Sequence, residues 1–174
     1  MKVSMIAAMT PDRVIGTGHG GIPWHLPRDS QHFRSYTAGH HMLLGRRTFE
    51  EMDGWFTTQT PIVLTRDVGY TPKIGHAVQS VEQAIQLAEE SGDTELVVSG
   101  GASIYALALP FAETLILTIV QATEESQARF PDYEIQGSWK LLESKSSPAD
   151  DDNAYNIEIQ QLQRSEVMLH SKRP

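Results

Sequence analysis

Five short apolar runs, Val3 to Met9, Met42 to Leu44, Pro61 to Thr65, Leu96 to Ser99 and Leu115 to Val120, alternate with segments that carry helix start and stop signals. Runs of this length with little internal alternation are strands buried on both faces. The intervening helices are marked by Pro27 in a first turn followed by Asp29, by Thr48 to Met52, by Ser80 as N-cap of VEQAIQLAEES closed by Gly92, and by Ala102 to Leu109 stopped at Pro110. Strand and helix in alternation give an α/β fold with a largely parallel sheet covered on both sides. The last third changes period. Trp139 to Lys145 and Tyr155 to Leu162 alternate apolar and polar residues around SSPADDDN, the pattern of an antiparallel hairpin at a sheet edge.

At 174 residues the chain suits one domain with a full core. No apolar run reaches the roughly 20 residues of a membrane span, and Asp12 interrupts the N-terminal run before any signal-peptide core forms, so a cytoplasmic protein is expected. Cysteine is absent, which excludes disulfides and thiolate chemistry. A net charge of -8 argues against a nucleic-acid binder but leaves room for a local basic spot. The histidines form no H-E-x-x-H or comparable pair, so no metal site is expected; His40-His41, at a strand entrance, reads as an exposed turn.

Three segments carry candidate chemistry. In GGIPWHLPRD, Asp29 lies in a first helical turn and Phe33, four residues on, shares its face. Alone, such an acid complements the helix dipole. Trp24 and the glycines before it add a mobile cover over a carboxylate set among apolar groups, which suits two parallel hydrogen bonds to an amidine-like heterocycle. In VVSGGASIY a strand enters paired glycines and then a helix, either a tight connection or a place where backbone N–H groups approach phosphate oxygens. Neither the G-x-G-x-x-G spacing nor G-K-[ST] is present. In LGRRT two arginines follow a strand, either a solvated pair or a phosphate contact, and Arg66 after the next strand offers a second cation. All three segments fall at carboxyl ends of strands, where doubly wound sheets bind ligands.

Together these segments resemble the dihydrofolate reductases of the bacterial type. MIAAMTPDRVIG, IPWHLPRDSQHF, MLLGRRTFEEM, PIVLTR, VVSGGASIY, LILT and FPDYE stand in family order over residues 1 to about 162. The resemblance implies a single-domain fold with a central eight-stranded mixed, mostly parallel sheet, four flanking helices and a C-terminal antiparallel hairpin; residues 163–174 are expected to be a disordered tail. It implies NADPH as cofactor and hydride transfer to C6 of 7,8-dihydrofolate with protonation at N5, giving the tetrahydrofolate of one-carbon metabolism. A monomer that binds small molecules, antifolates among them, and neither nucleic acid nor membrane is implied as well.

By the same resemblance Asp29 is the acid that holds the pterin 2-amino group and N3, with Thr118 supporting it. Ile6, Ala7, Ala8 and Phe33 are similar to the pterin pocket, to which Met52, Phe56 and Ser99 are added. Ile22 and Trp24 resemble the loop that closes over the nicotinamide, with Ile15 and Gly16 at its start and Ala8 on the cofactor side. Gly45, Arg46, Arg47 and Thr48 resemble the cofactor segment, to which Leu64 is added; Arg46, Arg47, Thr65 and Arg66 are implied near the adenosine 2′-phosphate. Gly100, Gly101 and Ala102 resemble the turn that receives the pyrophosphate, with Ser103, Ile104 and Tyr105 following and a cis bond expected at Gly100-Gly101.

Three departures stand out. Gln59 occupies the position of an Arg that clamps the folate glutamate, so weaker folate affinity is expected unless another cation such as Arg34 reaches in. The loop TGHGGI is one residue longer than usual with three glycines, and Gln127 stands where an Asp helps latch the closed loop, so a looser closure is expected. Two other readings remain: a reductase of the same fold acting on another pterin or a pyrimidine, and an idle NADPH-binding module.

Overall fold

In the computed structural model, which describes residues 1–165, the apolar runs form the middle of one eight-stranded sheet. The elements in chain order are β1 (Lys2–Met9), α1 (Pro27–Thr37), β2 (His41–Gly45), α2 (Arg46–Glu51), β3 (Thr60–Leu64), β4 (His76–Val78), α3 (Val81–Glu90), β5 (Glu95–Val98), α4 (Ala102–Ala108), β6 (Thr114–Val120), β7 (Trp139–Ser147) and β8 (Ile157–Arg164). The strand order is β4-β3-β2-β5-β1-β6-β8-β7. The six strands from β4 to β6 are parallel, and β8 and β7 close the edge antiparallel.

Alternate residues of the central strands feed cores on opposite faces. Met5, Leu43, Val98 and Leu117 point into the larger core, against Ala84 and Ala88 of α3 and Ala108 of α4. Their neighbours Ile6, Met42, Leu44, Val97 and Ile116 point the other way, toward Phe33 of α1 and Phe49 of α2. Both faces are dry, which is why these strands read as continuous apolar runs. Each buried Leu, Ile or Val contributes roughly 1.5–3 kcal/mol from its removal from water.

Three boundaries differ from the sequence reading. β4 was not visible, because its three residues include one exposed His and one buried Val and offer no period to count. α2 starts at Arg46 rather than Thr48, so both arginines belong to the helix. β8 continues two residues past the expected end of the domain at 162: Arg164 donates from Nε to Ala112 O at 2.7 Å, and its guanidinium stacks over the Trp139 ring. Of the tail expected over 163–174, residues 166–174 lie outside the described residues.

Candidate active site

The turns that follow β1, β2, β3 and β5 meet at the carboxyl edge of the parallel strands, and the glycines there are what let them touch. Gly45 N–H donates to Gly100 O at 2.8 Å, tying the end of β2 to the turn after β5. A Cβ on Gly45 would come 3.1 Å from Ile104, and one on Gly100, whose φ is +105°, would come 3.1 Å from the Tyr105 ring. The Gly100-Gly101 peptide bond is cis. Tyr105 is buried beneath this turn; its hydroxyl donates to Ile6 O at 2.7 Å, and burial pushes its ionisation up.

α1 brings the acid to the same edge. Leu26 provides no side-chain cap, although Pro27 opens the helix with a fitting φ. The cap arrives from the β7–β8 turn instead: Asn153 Oδ1 accepts from Arg28 N–H at 3.0 Å, while the Arg28 guanidinium reaches Asp150 at 2.5 Å. One residue on, Asp29 sits in a half-buried position. Burial raises its pKa above the usual carboxylate range, with the Thr118 hydroxyl and the nearby His32 pulling in the opposite direction. A carboxylate in this setting gains more from a hydrogen-bonding, positively polarised partner than it would in water.

A single cavity of about 1410 Å³ connects these parts. A typical pocket for one drug-sized ligand holds about 300–1,000 Å³, so this one exceeds the room that a single small ligand needs. Ile6, Ala7, Ala8, Asp29 and Phe33 line one part of it, together with Met52 and Ser99. The loop residues Ile15, Gly16 and Ile22 border it. The remaining part is lined by Gly45, Arg46, Arg47 and Thr48, by Leu64, Thr65 and Arg66, and by the run from Gly100 to Tyr105.

Three expected residues lie behind the lining. Phe56 turns away into the cluster around Phe49, with ring centroids 5.6 Å apart, and Trp55 takes the place at the wall. Thr118 is buried in β6, where its hydroxyl hydrogen-bonds Asp29. Trp24 packs with Leu26, Val120 and Ile157, and its indole N–H is buried without a partner among the described residues.

The cations differ in how free they are. Arg46 is occupied: Nε donates to Glu50 at 2.8 Å, Nη1 lies 3.4 Å from Asp67, and the guanidinium stacks on Tyr70. Arg47 pairs with Glu51 at 3.3 Å. Arg66 makes no ion pair among the described residues. Gln59, for its part, is turned inward. Its Oε1 accepts from Thr57 N–H and Thr58 N–H, each at 3.2 Å, and its Nε2 donates to the Thr37 hydroxyl at 3.3 Å. Arg34 stacks over Trp55 at 4.3 Å and donates to Trp55 O, which puts an exposed cation beside the cavity wall.

The sequence reading gave no role to Trp55, nor to Glu51, although Glu51 lies within MLLGRRTFEEM beside the cofactor residues. It also took Ser80 only as a helix cap. Ser80 does accept from Gln83 N–H, and it borders the cavity as well. His40 and His41 are not an exposed turn: both Nδ1 atoms bond Asp93, at 2.9 and 2.8 Å, and none of the three residues lines the cavity.

Fold and site define an α/β protein with a large cavity at the carboxyl edge of its sheet, lined by an acid in one part and by arginines with bare glycine backbone in another. The family model described as Dihydrofolate reductase matches residues 2–164. The chain is 36% identical over 164 residues to dihydrofolate reductase type 3 of Salmonella typhimurium, covering 94% of this chain and 99% of that one. It is 32% identical to the dihydrofolate reductase of Bacillus subtilis, covering 90% and 91%. Among solved structures, dihydrofolate reductase from Enterococcus faecalis, complexed with NADP(H) and RAB-propyl, aligns with a TM-score of 0.83 at 28% identity over 95% of this chain and 97% of that one. The chain belongs to the dihydrofolate reductase family, and it is an NADPH-dependent oxidoreductase.

Proposed function

We propose that the chain reduces 7,8-dihydrofolate to 5,6,7,8-tetrahydrofolate with NADPH, using Asp29 to bind the pterin and the turns after β2, β3 and β5 to bind the cofactor. The observation that carries this assignment of roles is the single cavity joining Asp29 to Arg47, Arg66 and Gly100-Gly101. Bound NADPH supplies the hydride for C6.

The protein's own contribution is placement and field. Asp29 accepts two parallel hydrogen bonds from the amidine edge of the pterin, and its negative charge favours the proton gained at N5. Burial strengthens both effects, and the Thr118 hydroxyl orients the carboxylate. Phe33 and Ile6 give the flat ring apolar faces to lie between. The buried, unpartnered indole N–H of partly buried Trp24 has hydrogen-bonding capacity left for a substrate atom or a bridging water. Toward the cofactor, Arg66 and Arg47 supply charge for the 2′-phosphate, and the absence of side chains at Gly100 and Gly101 lets backbone approach the pyrophosphate. Ile22, 62% exposed on its loop, covers the reacting rings and keeps water out when the loop closes. One chain supplies every part of the site, which supports work as a monomer, and a place in the cytoplasm rests on the family reading alone. No described helix is long and apolar enough to cross a membrane.

The test is NADPH oxidation with and without dihydrofolate. Consumption in step with added dihydrofolate is expected; cofactor binding without turnover would make the chain an idle module. A second substrate reading draws on Gln59, whose amide is engaged within the fold and offers no guanidinium for a carboxylate. A dihydropterin lacking the glutamate then serves as comparison. If Arg34 holds the glutamate, dihydrofolate has the lower KM, and Arg34→Ala removes the difference without changing kcat; equal KM values in the unaltered protein favour the free pterin.

A further inference from the structure

The approach to Ile22 rests on a side chain to which the site described above gives no role. Glu51 closes α2 and turns its carboxylate toward the glycine-rich loop. Oε2 accepts from Gly21 N–H at 3.4 Å, and Oε1 lies 3.3 Å from Arg47 Nε. A Cβ on Gly20 would stand 2.7 Å from Oε1, so the carboxylate is seated against bare loop backbone. Gly20 and Gly21 have φ of +110° and +78°, values that L side chains rarely adopt, and they directly precede Ile22. On its other side the loop is held by backbone pairing, Ile15 N–H to Ala128 O at 2.9 Å, and internally by Thr17 Oγ1 donating to Gly20 O at 2.6 Å. One wall of the loop is thus a fixed backbone pairing and the other is the Glu51 carboxylate with the Arg47 guanidinium beside it. Gly20, Gly21, Arg47 and Glu51 all border the cavity.

We infer that Glu51 is the positioning residue that latches the loop over the reacting rings, and that its ion pair with Arg47 joins this latch to the cofactor phosphate. The inference rests on the assignment of Arg47 to a phosphate of NADPH. Arg47 stands one helical turn before Glu51, meets its carboxylate through Nε and is largely exposed, so a phosphate oxygen can reach the guanidinium while the pair persists. A phosphate that fixes the guanidinium removes much of the ordering cost of the Arg47–Glu51 pair, so Glu51 meets Gly21 more often. Phosphate on Arg47 therefore favours the closed loop.

Hydrogen exchange over residues 16–22 and 100–105, with NADPH or NADH, tests this in the full chain and in the Glu51→Ala and Glu51→Gln variants. In the unaltered protein NADPH slows exchange over 16–22 more than saturating NADH does. Glu51→Ala loses that slowing while 100–105 stay protected. Because the pair is exposed, kcat falls only about three- to fivefold, with the KM for dihydrofolate unchanged. Glu51→Gln keeps an acceptor for Gly21 without the charge and falls between the two. Equal slowing over 16–22 in the unaltered protein and in Glu51→Ala would overturn the inference. If NADPH protects neither segment in the unaltered protein, the cofactor assignment itself has failed and the latch falls with it.

Discussion

Asn153 Oδ1 accepts from Arg28 N–H at 3.0 Å, so the helix that carries Asp29 is capped by a turn 125 residues away. Asn153 is buried, and Asp150 fixes it through its backbone N–H at 2.8 Å and its side-chain amide at 2.9 Å. Removing a cap of this kind costs about 0.5–2 kcal/mol. Asn153→Ala should therefore lower the melting temperature by about 2–6 °C. It should also reduce kcat/KM for dihydrofolate, because the first turn of α1 sets the direction of Asp29. A loss of stability with unchanged kcat/KM at low temperature would show that Asp29 is placed by packing alone.

Cofactor selectivity should divide unequally among the arginines. Arg46 is committed to Glu50, Asp67 and Tyr70, whereas Arg66 is exposed, borders the cavity and makes no ion pair among the described residues. Arg66→Ala should raise the KM for NADPH about tenfold with little effect on NADH, the size of one charge-assisted bond to the 2′-phosphate. Arg46→Ala should change the ratio of the two cofactors less. Steady-state KM values for both cofactors decide it.

Asp93 makes the fold sensitive to acid. Burial alone would raise its pKa, but the bonds from His40, His41 and the backbone N–H groups of His41 and Glu95 hold it well below the usual carboxylate range. A group depressed on folding contributes stability above its unfolded pKa and loses that contribution as pH falls toward the folded value. Asp93→Asn should lower the melting temperature at pH 7, and the gap from the unaltered protein should narrow as pH falls below about 4. Melting curves across that range provide the check.

Much of this molecule was legible because its signals are local. Five parallel strands announce themselves by apolar runs, α3 by Ser80 and Gly92, and the three ligand segments by glycines or charge at strand ends. What stayed hidden depends on partners distant in sequence. Asn153 looks like turn chemistry until α1 lies beside it, and His40-His41 looks exposed until Asp93 arrives from the end of α3. Gln59 looks like a vacancy in the substrate site, yet it joins Thr37 to the Thr57-Thr58 turn. Glu51 falls within MLLGRRTFEEM, yet nothing there marks its part, because its meaning lies in where the loop backbone comes to rest.

The most direct test of Asp29 as the pterin-binding acid is kcat/KM for dihydrofolate in Asp29→Asn against the unaltered protein, at fixed saturating NADPH. Loss of a preorganised charge at the reacting ring predicts a fall of about a hundredfold or more. The variant should remain folded. A carboxyl whose pKa burial has raised loses stability as pH rises through the folded value, so Asn at this position should melt no lower than Asp at pH 7. Equal kcat/KM in the two proteins would contradict the account and remove Asp29 from the reaction.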